Sequence, residues 1–303
     1  MSGRPIPLLS IGLPVFNGED HLALALDSLL AQTVDDFEII ISDNHSTDTT
    51  ELICRDFAAR DPRIRYVRGV RNLGVAWNFN NVFHLARGRY FKWASSNDVH
   101  DPQYSRRCLE VLESNAAAVL AYARTNIIDE HGAVVQAYED RLDLPWPEPP
   151  RRFREYLDRV GLCNALFGVM RPEVMRRTAL LGDYPGSDII FLGEMSLHGT
   201  FVEVPAILFS RRYEHANVVH NSTLANWQEF FAPSKHGKFV MRTWRHLYEY
   251  FRADLRSPLS VADKARVAGT IARASVYGRR QLLRELTGAA RQIASRRTES
   301  PRL

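Results

Sequence analysis

The 303-residue sequence has only three cysteines, and they lie far apart in the chain. Cys54, Cys108 and Cys163 fit neither the ligand spacing of a zinc site nor the cysteine density of a disulfide-rich secreted domain. We expect each to be a small core or surface residue, which favours a reducing cytoplasm. The first residues lead directly into a strand pattern rather than a signal peptide. No apolar run approaches the roughly 20 residues of a membrane span. These absences predict a cytoplasmic protein.

Two glycine motifs are also missing. No Gly-x-Gly-x-x-Gly follows the first predicted strand, and no Walker loop occurs anywhere in the sequence. The first absence disfavours an NAD-dependent oxidoreductase on a Rossmann sheet.

Positive charge is concentrated at one end of the chain. The net charge is +4, but residues 252–303 contain 12 Lys/Arg and 4 Asp/Glu, a net of +8, so the remainder carries −4. A body that is not broadly basic argues against nucleic acid as the main ligand. The basic tail is a candidate for peripheral contact with anionic lipid at the inner face of a membrane. A solvated helix face is the plainer interpretation of the same charges.

The first 122 residues alternate between strand and helix patterns. Short apolar runs at 8–14, 37–42, 64–68 and 90–94 predict strands, and periodic segments at 20–32, 49–60, 75–86 and 102–114 predict helices. Four such repeats indicate an α/β fold with a mostly parallel sheet. Polar clusters follow the first, second and fourth strands. They are expected to meet at the carboxyl edge of the sheet, where ligands of such sheets bind.

The second part of the chain is less regular. Its pattern predicts strands at 118–122, 167–171 and 200–209, a hairpin at 127–135 and a helix over 189–198. The proline-rich segment 143–150 is interpreted as a connector, with a flexible flap as the alternative. From about residue 224 the pattern is helical, and one last helix is expected over about 260–297.

Five motifs in order resemble those of family-2 glycosyltransferases, which are inverting enzymes with the GT-A fold. They are 13–19 (LPVFNGE), 42–48 (SDNHSTD), 72–74 (NLG), 86–90 (ARGRY) and 95–98 (SSND). The resemblance covers about residues 8–215. It implies a Rossmann-like sheet flanked by helices, with a nucleotide-sugar-binding half at 1–122 and an acceptor-binding and catalytic half at 123–222. Residues 223–303 would form a C-terminal helical extension.

The donor site is expected at the loops of the first half. Asp43, at a strand end, can accept a hydrogen bond from the imide N–H of uracil or thymine, and guanine also offers donors, so UDP or dTDP is favoured without being fixed. An Asx turn or helix cap is the alternative role for Asp43. By resemblance, the donor-binding residues are Pro14, Phe16, Asn17, Glu19, Asp43, Asn44, Asn72, Gly74, Ser96, Asn97, Arg211 and Arg212.

The metal motif is reduced in this sequence. The family commonly has Asp-x-Asp-Asp where this chain has Ser95, Ser96, Asn97 and Asp98, so one carboxylate remains. The resemblance implies Mg²⁺ or Mn²⁺ at Asp98, with His215 completing the shell. Metal independence stays open, as does a helix-capping role for Asp98. For the basic residues at 211–215, a solvated strand end is the alternative.

An inverting transfer needs a base that takes the proton of the acceptor hydroxyl. By resemblance this is Asp188, at the start of a predicted helix whose dipole favours the ionised carboxylate. Glu194, six residues on, would point about 240° away around the helix. The expected activity is glycosyl transfer to a hydroxyl of a glycan, glycolipid or secondary metabolite. The alternative is a nucleotide-sugar-binding protein without turnover.

Overall fold

The computed structural model describes residues 5–213 and 241–298, with side chains to residue 289 except Tyr277. These residues form one mixed sheet with helices packed around it. The strands are β1 (Leu9–Val15), β2 (Phe37–Asp43), β3 (Ile64–Arg68), β4 (Tyr90–Trp93), β5 (Val99–His100), β6 (Ala118–Ile128), β7 (Val134–Tyr138), β8 (Val169–Met170) and β9 (Thr200–Arg212). The helices are α1 (Leu22–Leu30), α2 (Thr50–Arg60), α3 (Val75–Leu85), α4 (Tyr104–Ser114), α5 (Pro149–Arg159), α6 (Pro172–Met175), α7 (Ser187–His198), α8 (Arg242–Arg256), α9 (Val261–Tyr277) and α10 (Arg279–Thr298).

The first half of the sheet confirms the predicted alternation. Its four strands are parallel in the order β3-β2-β1-β4. All residues of β1, β2 and β4 are buried, as expected where helices cover both faces of a parallel sheet. Leu22, Leu26 and Leu29 of α1 are part of the same core. The carboxyl ends of β1, β2 and β4 therefore lie at one edge of the sheet.

The second half adds antiparallel strands. The short β8 lies between β4 and β6 and is antiparallel to both, β9 runs parallel to β6, and β5 lies antiparallel on β9. The predicted hairpin is confirmed by the antiparallel pair β6–β7. Gly132 in its turn has φ +87°, a conformation that favours glycine. The β5–β9 pair places the end of the 95–98 loop beside the end of β9.

Two predicted elements differ in the structure. The prediction of a single last helix is wrong, because the chain forms α9 and α10 with a break at Gly278. The proline-rich segment 143–150 is a connector, paired with β9 through Leu144 and Phe201. It leads into α5, which was not predicted from the sequence. Pro149 was an available signal, because it occupies the first helical turn, a position that proline favours.

The C-terminal helices pack on the second half of the domain. A second apolar cluster joins Phe153 of α5 and Ile190 of α7 to Tyr250 of α8 and Ile271 of α9. No helix in the described ranges is long and apolar enough to cross a membrane. Residues 214–240, with His215 and the expected boundary at 222/223, lie outside the described residues.

Candidate active site

The loops after β1 and β2 hold each other by hydrogen bonds. The backbone N–H of Asn17 donates to Ser46 Oγ (2.9 Å), and the N–H of Thr47 donates to Asn17 Oδ1 (2.9 Å). Glu19 Oε2 accepts from the N–H of Thr49 (3.0 Å) and from its hydroxyl (2.7 Å). Glu19 therefore fixes Thr49, the residue that precedes α2. Two predicted donor-binding residues, Asn17 and Glu19, thus shape the edge through contacts within the protein.

Asp43 is the buried centre of this edge. Its side chain has no exposed surface. Oδ1 accepts from the N–H of Ser46, three residues on (2.8 Å), so Asp43 orders its own loop, a local role like the alternatives that the sequence left open. Oδ2 accepts from the hydroxyl of Tyr66 (2.8 Å) and from Arg68 Nε (3.2 Å). Burial and the Asp43 carboxylate raise the pKa of Tyr66. Direct contact between Asp43 and the base of the nucleotide stays a prediction. Because the Asp43 side chain has no exposed surface, such a contact requires a neighbouring side chain to move.

Asn44, Asn72 and Gly74 form a second, partly buried network at the same edge. Asn44 Nδ2 donates to Asn72 Oδ1 (2.8 Å), and Asn44 Oδ1 accepts from the N–H of Leu73 (3.0 Å). Asn72 Oδ1 also accepts from the N–H of Gly74 (2.8 Å). Gly74 has φ +90° at the start of α3, which explains why glycine is needed there. The structure thus brings these three predicted residues together.

The loop after β4 lies against the loop after β1. A Cβ built on Gly18 would lie 3.3 Å from Ser96 Oγ, so the two loops are in close contact. Pro14 in β1 is buried, and Phe16 in the loop after it is 45% exposed. The hydroxyl of Ser95 donates to Asn97 Oδ1. The predicted donor-binding residues of the first half therefore share one edge of the sheet.

Asp98 lies at the boundary between this edge and β9. It is 3% exposed, and its Oδ1 accepts from the backbone N–H of Arg212 (2.8 Å). Burial raises the pKa of Asp98 to about 6, although the nearby Arg211 opposes the rise. The capping alternative does not hold for Asp98, because Asp101 makes the local turn by accepting from the N–H of Gln103 (2.8 Å).

Arg211 and Arg212 fasten the end of β9 to its surroundings. Arg211 Nη1 donates to the carbonyl of Leu162 (2.5 Å) and to Asn164 Oδ1 (2.6 Å). Arg212 is 6% exposed, and its Nε donates to the carbonyl of Asn97 (3.0 Å). Its Nη1 donates to the carbonyl of Asp129 (2.7 Å). Arg212 thus holds the Asn97–Asp98 backbone in place, and Arg211 is the more exposed of the two cations.

A divalent cation has few protein ligands available here. Within residues 5–213 and 241–298, no group of three or more His, Cys, Asp or Glu side chains converges. Asp98 offers a carboxylate and Asn97 an adjacent amide oxygen, both suited to a hard cation. This set fits an ion held mainly by substrate phosphates and water. His215, the other predicted ligand, lies outside the described residues.

Asp188 lies in the first turn of α7, where it is partly exposed. Gly186, the residue just before the helix, has φ +82°. Phe191, one turn after Asp188, packs edge-on against Trp93 with ring centroids 5.2 Å apart. Because Trp93 ends β4, this contact brings the start of α7 toward the edge that carries the predicted donor residues. The helix N-terminus favours an ionised carboxylate there.

The start of α7 is held by α8 and by α5. His246 of α8 lies with Nε2 2.8 Å from the carbonyl oxygen of Pro185. A carbonyl can only accept, so His246 carries its proton on Nε2. Burial lowers the pKa of His246, which favours this neutral form. The hydroxyl of Tyr156 donates to the carbonyl of Ile189 (2.6 Å).

Glu194 joins two helices inside the protein rather than facing the candidate site. It is fully buried and pairs with Arg256 of α8 through two contacts, Nε–Oε1 at 2.9 Å and Nη2–Oε2 at 3.0 Å. Oε2 also accepts from the N–H of Ala179 (3.0 Å). This bidentate pair joins α7 to α8 and leaves Asp188 as the carboxylate of α7 at the helix start.

One buried cation behind the site was missed from the sequence. Lys92 of β4 is fully buried, and among the described residues its Nζ has no hydrogen-bond partner. Nζ lies 4.2 Å from the ring centroid of Tyr104. Burial lowers the pKa of Lys92 to about 7. The available signal was its position in a central strand, where both faces are covered.

Comparison with known proteins identifies the family. Residues 10–181 match the family described as Glycosyl transferase family 2. Chondroitin synthase of Escherichia coli is 30% identical over 132 residues, which is 44% of this chain but only 19% of that enzyme. S. aureus TarS in complex with UDP superposes with a TM-score of 0.62 at 15% identity, covering 88% of this chain and 72% of that one. Mannosyltransferase PcManGT from Pyrobaculum calidifontis, in complex with GDP-Man and Mn²⁺, gives 0.56 at 13% identity, covering 99% and 77%.

The structural likenesses show the fold, and the family match shows the membership. The mixed sheet with flanking helices is that of GT-A glycosyltransferases. The family match covers more than half of the chain. The protein is therefore a glycosyltransferase of family 2 with the GT-A fold.

Proposed function

We propose that this glycosyltransferase moves a sugar from a nucleoside-diphosphate sugar to a hydroxyl acceptor with inversion, and that Asp188 is the general base. The acceptor would be a glycan, glycolipid or secondary metabolite. The observation that carries the proposal is the pair of carboxylates on α7. Glu194 is neutralised by Arg256, whereas Asp188 remains partly exposed at the helix start, near the end of β4.

The proposed reaction is a single displacement. Asp188 takes the proton of the acceptor hydroxyl, and the hydroxyl oxygen attacks the anomeric carbon of the donor sugar. The bond between that carbon and the phosphate oxygen breaks on the opposite face, and the nucleoside diphosphate leaves with the bonding electrons. The configuration at carbon is inverted. The dipole of α7 helps to keep Asp188 ionised before the transfer.

The donor would bind at the edge formed by the loops after β1, β2, β3 and β4. Several backbone groups there are already fixed by Asn17, Glu19, Asn44 and Asn72. A pre-formed edge lowers the ordering cost of binding. UDP or dTDP is favoured because the imide N–H of uracil or thymine can donate to a carboxylate such as that of Asp43. The relatives named above bind UDP and GDP-Man, so a guanine nucleotide belongs in the same test.

Asp98 and Asn97 would hold Mg²⁺ or Mn²⁺ together with the diphosphate. The pKa of Asp98, about 6, leaves the carboxylate largely ionised at neutral pH. A bound cation would stabilise the negative charge that develops on the leaving diphosphate. Arg211, beside Asp98, adds positive charge on the same side.

Two measurements test the proposal. Thermal unfolding with a panel of UDP-, dTDP- and GDP-sugars, with and without Mn²⁺, should show stabilisation by one nucleotide class. With that donor, Asp188→Asn should lower kcat by about 10²- to 10⁴-fold while nucleotide binding is kept.

Asp158→Asn, at an exposed carboxylate of α5, is the matched control and should leave kcat unchanged. Full activity of Asp188→Asn would remove Asp188 as the base. Retention of the anomeric configuration in the product would remove the single displacement.

A further inference from the structure

Helix α8 has an apolar stripe that faces away from the protein. Trp244, Tyr248, Phe251 and Leu255 are 39%, 53%, 39% and 72% exposed. Their spacing of four, three and four residues places all of them within about 60° of one another around the helix. Four large apolar side chains on one exposed face are unusual for a surface that meets only water.

The opposite face of α8 is already occupied. Tyr250 and Ala253 are buried against the second half of the domain. His246 contacts the carbonyl of Pro185, and Arg256 pairs with Glu194. These contacts attach the helix to the protein without using Tyr248, Phe251 or Leu255.

Arginines lie along one side of the stripe. Arg245 and Arg252 share one buried partner, Glu249, at 2.7 and 3.9 Å, and their side chains remain 46% and 51% exposed. Their guanidinium carbons lie 5.8 and 5.6 Å from the ring centroid of Tyr248. By sequence, residues 241–298 contain 13 Lys/Arg and 4 Asp/Glu, a net charge of +9. A partner of opposite charge with an apolar interior matches both features.

We propose that the outer face of α8 lies on the surface of an anionic membrane. Amphipathic helices that lie in the interface bury an apolar face beside cationic side chains, and each Lys or Arg near anionic lipid strengthens the attachment. The proposal moves the expected membrane contact from the basic tail to a defined helix face. It does not depend on the proposed donor, metal or base.

The proposal has a geometric consequence for the active site. His246, on the inner face of α8, contacts the turn that starts α7. Docking of the outer face would place that turn within about one helix diameter, 10–12 Å, of the membrane surface. If Asp188 is the base, an acceptor hydroxyl carried by a membrane lipid is then within reach.

The test is sedimentation of the full chain with vesicles of phosphatidylcholine alone or mixed with phosphatidylglycerol. The wild-type protein should bind the mixed vesicles, and salt should weaken binding. The triple change Tyr248→Ser, Phe251→Ser, Leu255→Ser should weaken binding by about tenfold or more, because apolar burial is lost. Trp244 is left in place because its Nε1 donates to the carbonyl of Leu282 (3.1 Å).

The matched control changes three exposed apolar residues elsewhere. Leu24→Ser, Leu52→Ser and Val70→Ser alter side chains that are 55%, 68% and 90% exposed, and binding should be unaffected. Arg252→Glu should weaken binding by about fivefold or more, whereas Arg154→Glu on α5 should not.

Three results would overturn the proposal. Two come from sedimentation: the wild type does not bind the mixed vesicles, or wild type and Arg252→Glu bind them equally. The third comes from light scattering, if the wild type is a dimer and the triple change converts it to a monomer. The last result would assign the stripe to a second copy of the chain. Circular dichroism checks folding of each variant, and Arg252→Glu with the salt dependence decides the question if the triple variant does not fold.

Discussion

The donor edge and helix α7 differ in where their support comes from. At the donor edge, the loops after β1, β2 and β3 are held mainly by one another, through Asn17, Glu19, Asp43 and Asn44. Helix α7 is held by α5, through Tyr156, and by α8, through a contact that joins Glu194 to a residue 62 positions further along the chain. One region is self-contained, and the other depends in part on the C-terminal helices. Damage to α8 should therefore reach the proposed base while it spares the nucleotide site.

The largest effect is expected from Arg256→Met. The change leaves the Glu194 carboxylate buried without its partner, which should lower the free energy of unfolding by about 3–5 kcal/mol. The double change Glu194→Met, Arg256→Met should recover most of this loss. Urea denaturation measures both.

Arg107→Met is the control for that measurement, because Arg107 pairs with Glu110 on the surface of α4 and a surface pair contributes only about 0–1 kcal/mol. Equal losses for Arg256→Met and Arg107→Met would contradict a special role for the α7–α8 pair.

The next effect in size is a gain of stability from Lys92→Met. Burial lowers the pKa of Lys92 from 10.5 to about 7, so unfolding takes up a proton between these pH values. The wild-type free energy of unfolding should therefore rise with pH across this window, and at lower pH the full cost of the buried amine remains. Lys92→Met removes that cost and should stabilise the protein by about 2–4 kcal/mol near pH 7.

The advantage of Lys92→Met should shrink at about pH 9, where the wild type has regained part of its stability. Denaturation curves of both proteins at the two pH values provide the measurement. A pH-independent difference would mean that the buried amine keeps its ordinary pKa.

A smaller, local effect is expected from Asp43→Asn. The change removes the charge that pairs with Arg68, at a cost of about 1–3 kcal/mol. Because the donor edge is self-contained, amide hydrogen exchange should increase in residues 16–19 and 43–48 while α7 is unaffected. Nucleotide binding should weaken in parallel.

Asp56→Asn, at an exposed carboxylate of α2, serves as the control and should change neither quantity. If Arg68→Gln weakens nucleotide binding as much as Asp43→Asn does, Asp43 acts by ordering the edge. A much larger loss of nucleotide binding for Asp43→Asn than for Arg68→Gln would favour direct contact between Asp43 and the base of the nucleotide.

The smallest effect is expected from His246→Ala. Loss of the hydrogen bond to Pro185 costs about 1 kcal/mol and loosens the turn before Asp188, so kcat should fall about fivefold. The affinity for the nucleotide should not change. His246→Gln, whose amide can donate to the same carbonyl, should recover part of the rate. A fall in nucleotide affinity instead of kcat would contradict the separation of the two regions.

The order of elements was predictable where apolar runs were short and bounded. Strands β1 to β4 and helices α1 to α4 followed from periodicity, because a two-sided parallel sheet needs continuous apolar strands. The antiparallel β8 was predicted as a strand, but its place between β4 and β6 depends on contacts far apart in the sequence. The break between α9 and α10 was missed because Gly278 lies within a periodic pattern that continues on both sides.

Site residues were predictable by type and position, but their contacts were not. Asn44, Asn72 and Gly74 were grouped as donor-binding residues, and the structure shows them bonded to one another. Sequence could not show this, because 28 residues separate the two asparagines. Arg212 was expected to bind the donor, yet its guanidinium bonds to the carbonyls of Asn97 and Asp129. Their roles toward a donor stay predictions.

The N-terminus of α8 is completed by the last helix. Glu285 of α10 accepts from the backbone N–H (2.9 Å) and the hydroxyl (2.6 Å) of Thr243, which lies 42 residues earlier in the chain. The N–H groups that begin a helix need such partners. During synthesis the ribosome makes α8 well before it makes this cap, since chains fold from the N-terminal end as they emerge. The sheet can therefore form early. The contacts of α8 with α7, which carries the proposed base, are completed only after α10 has been made.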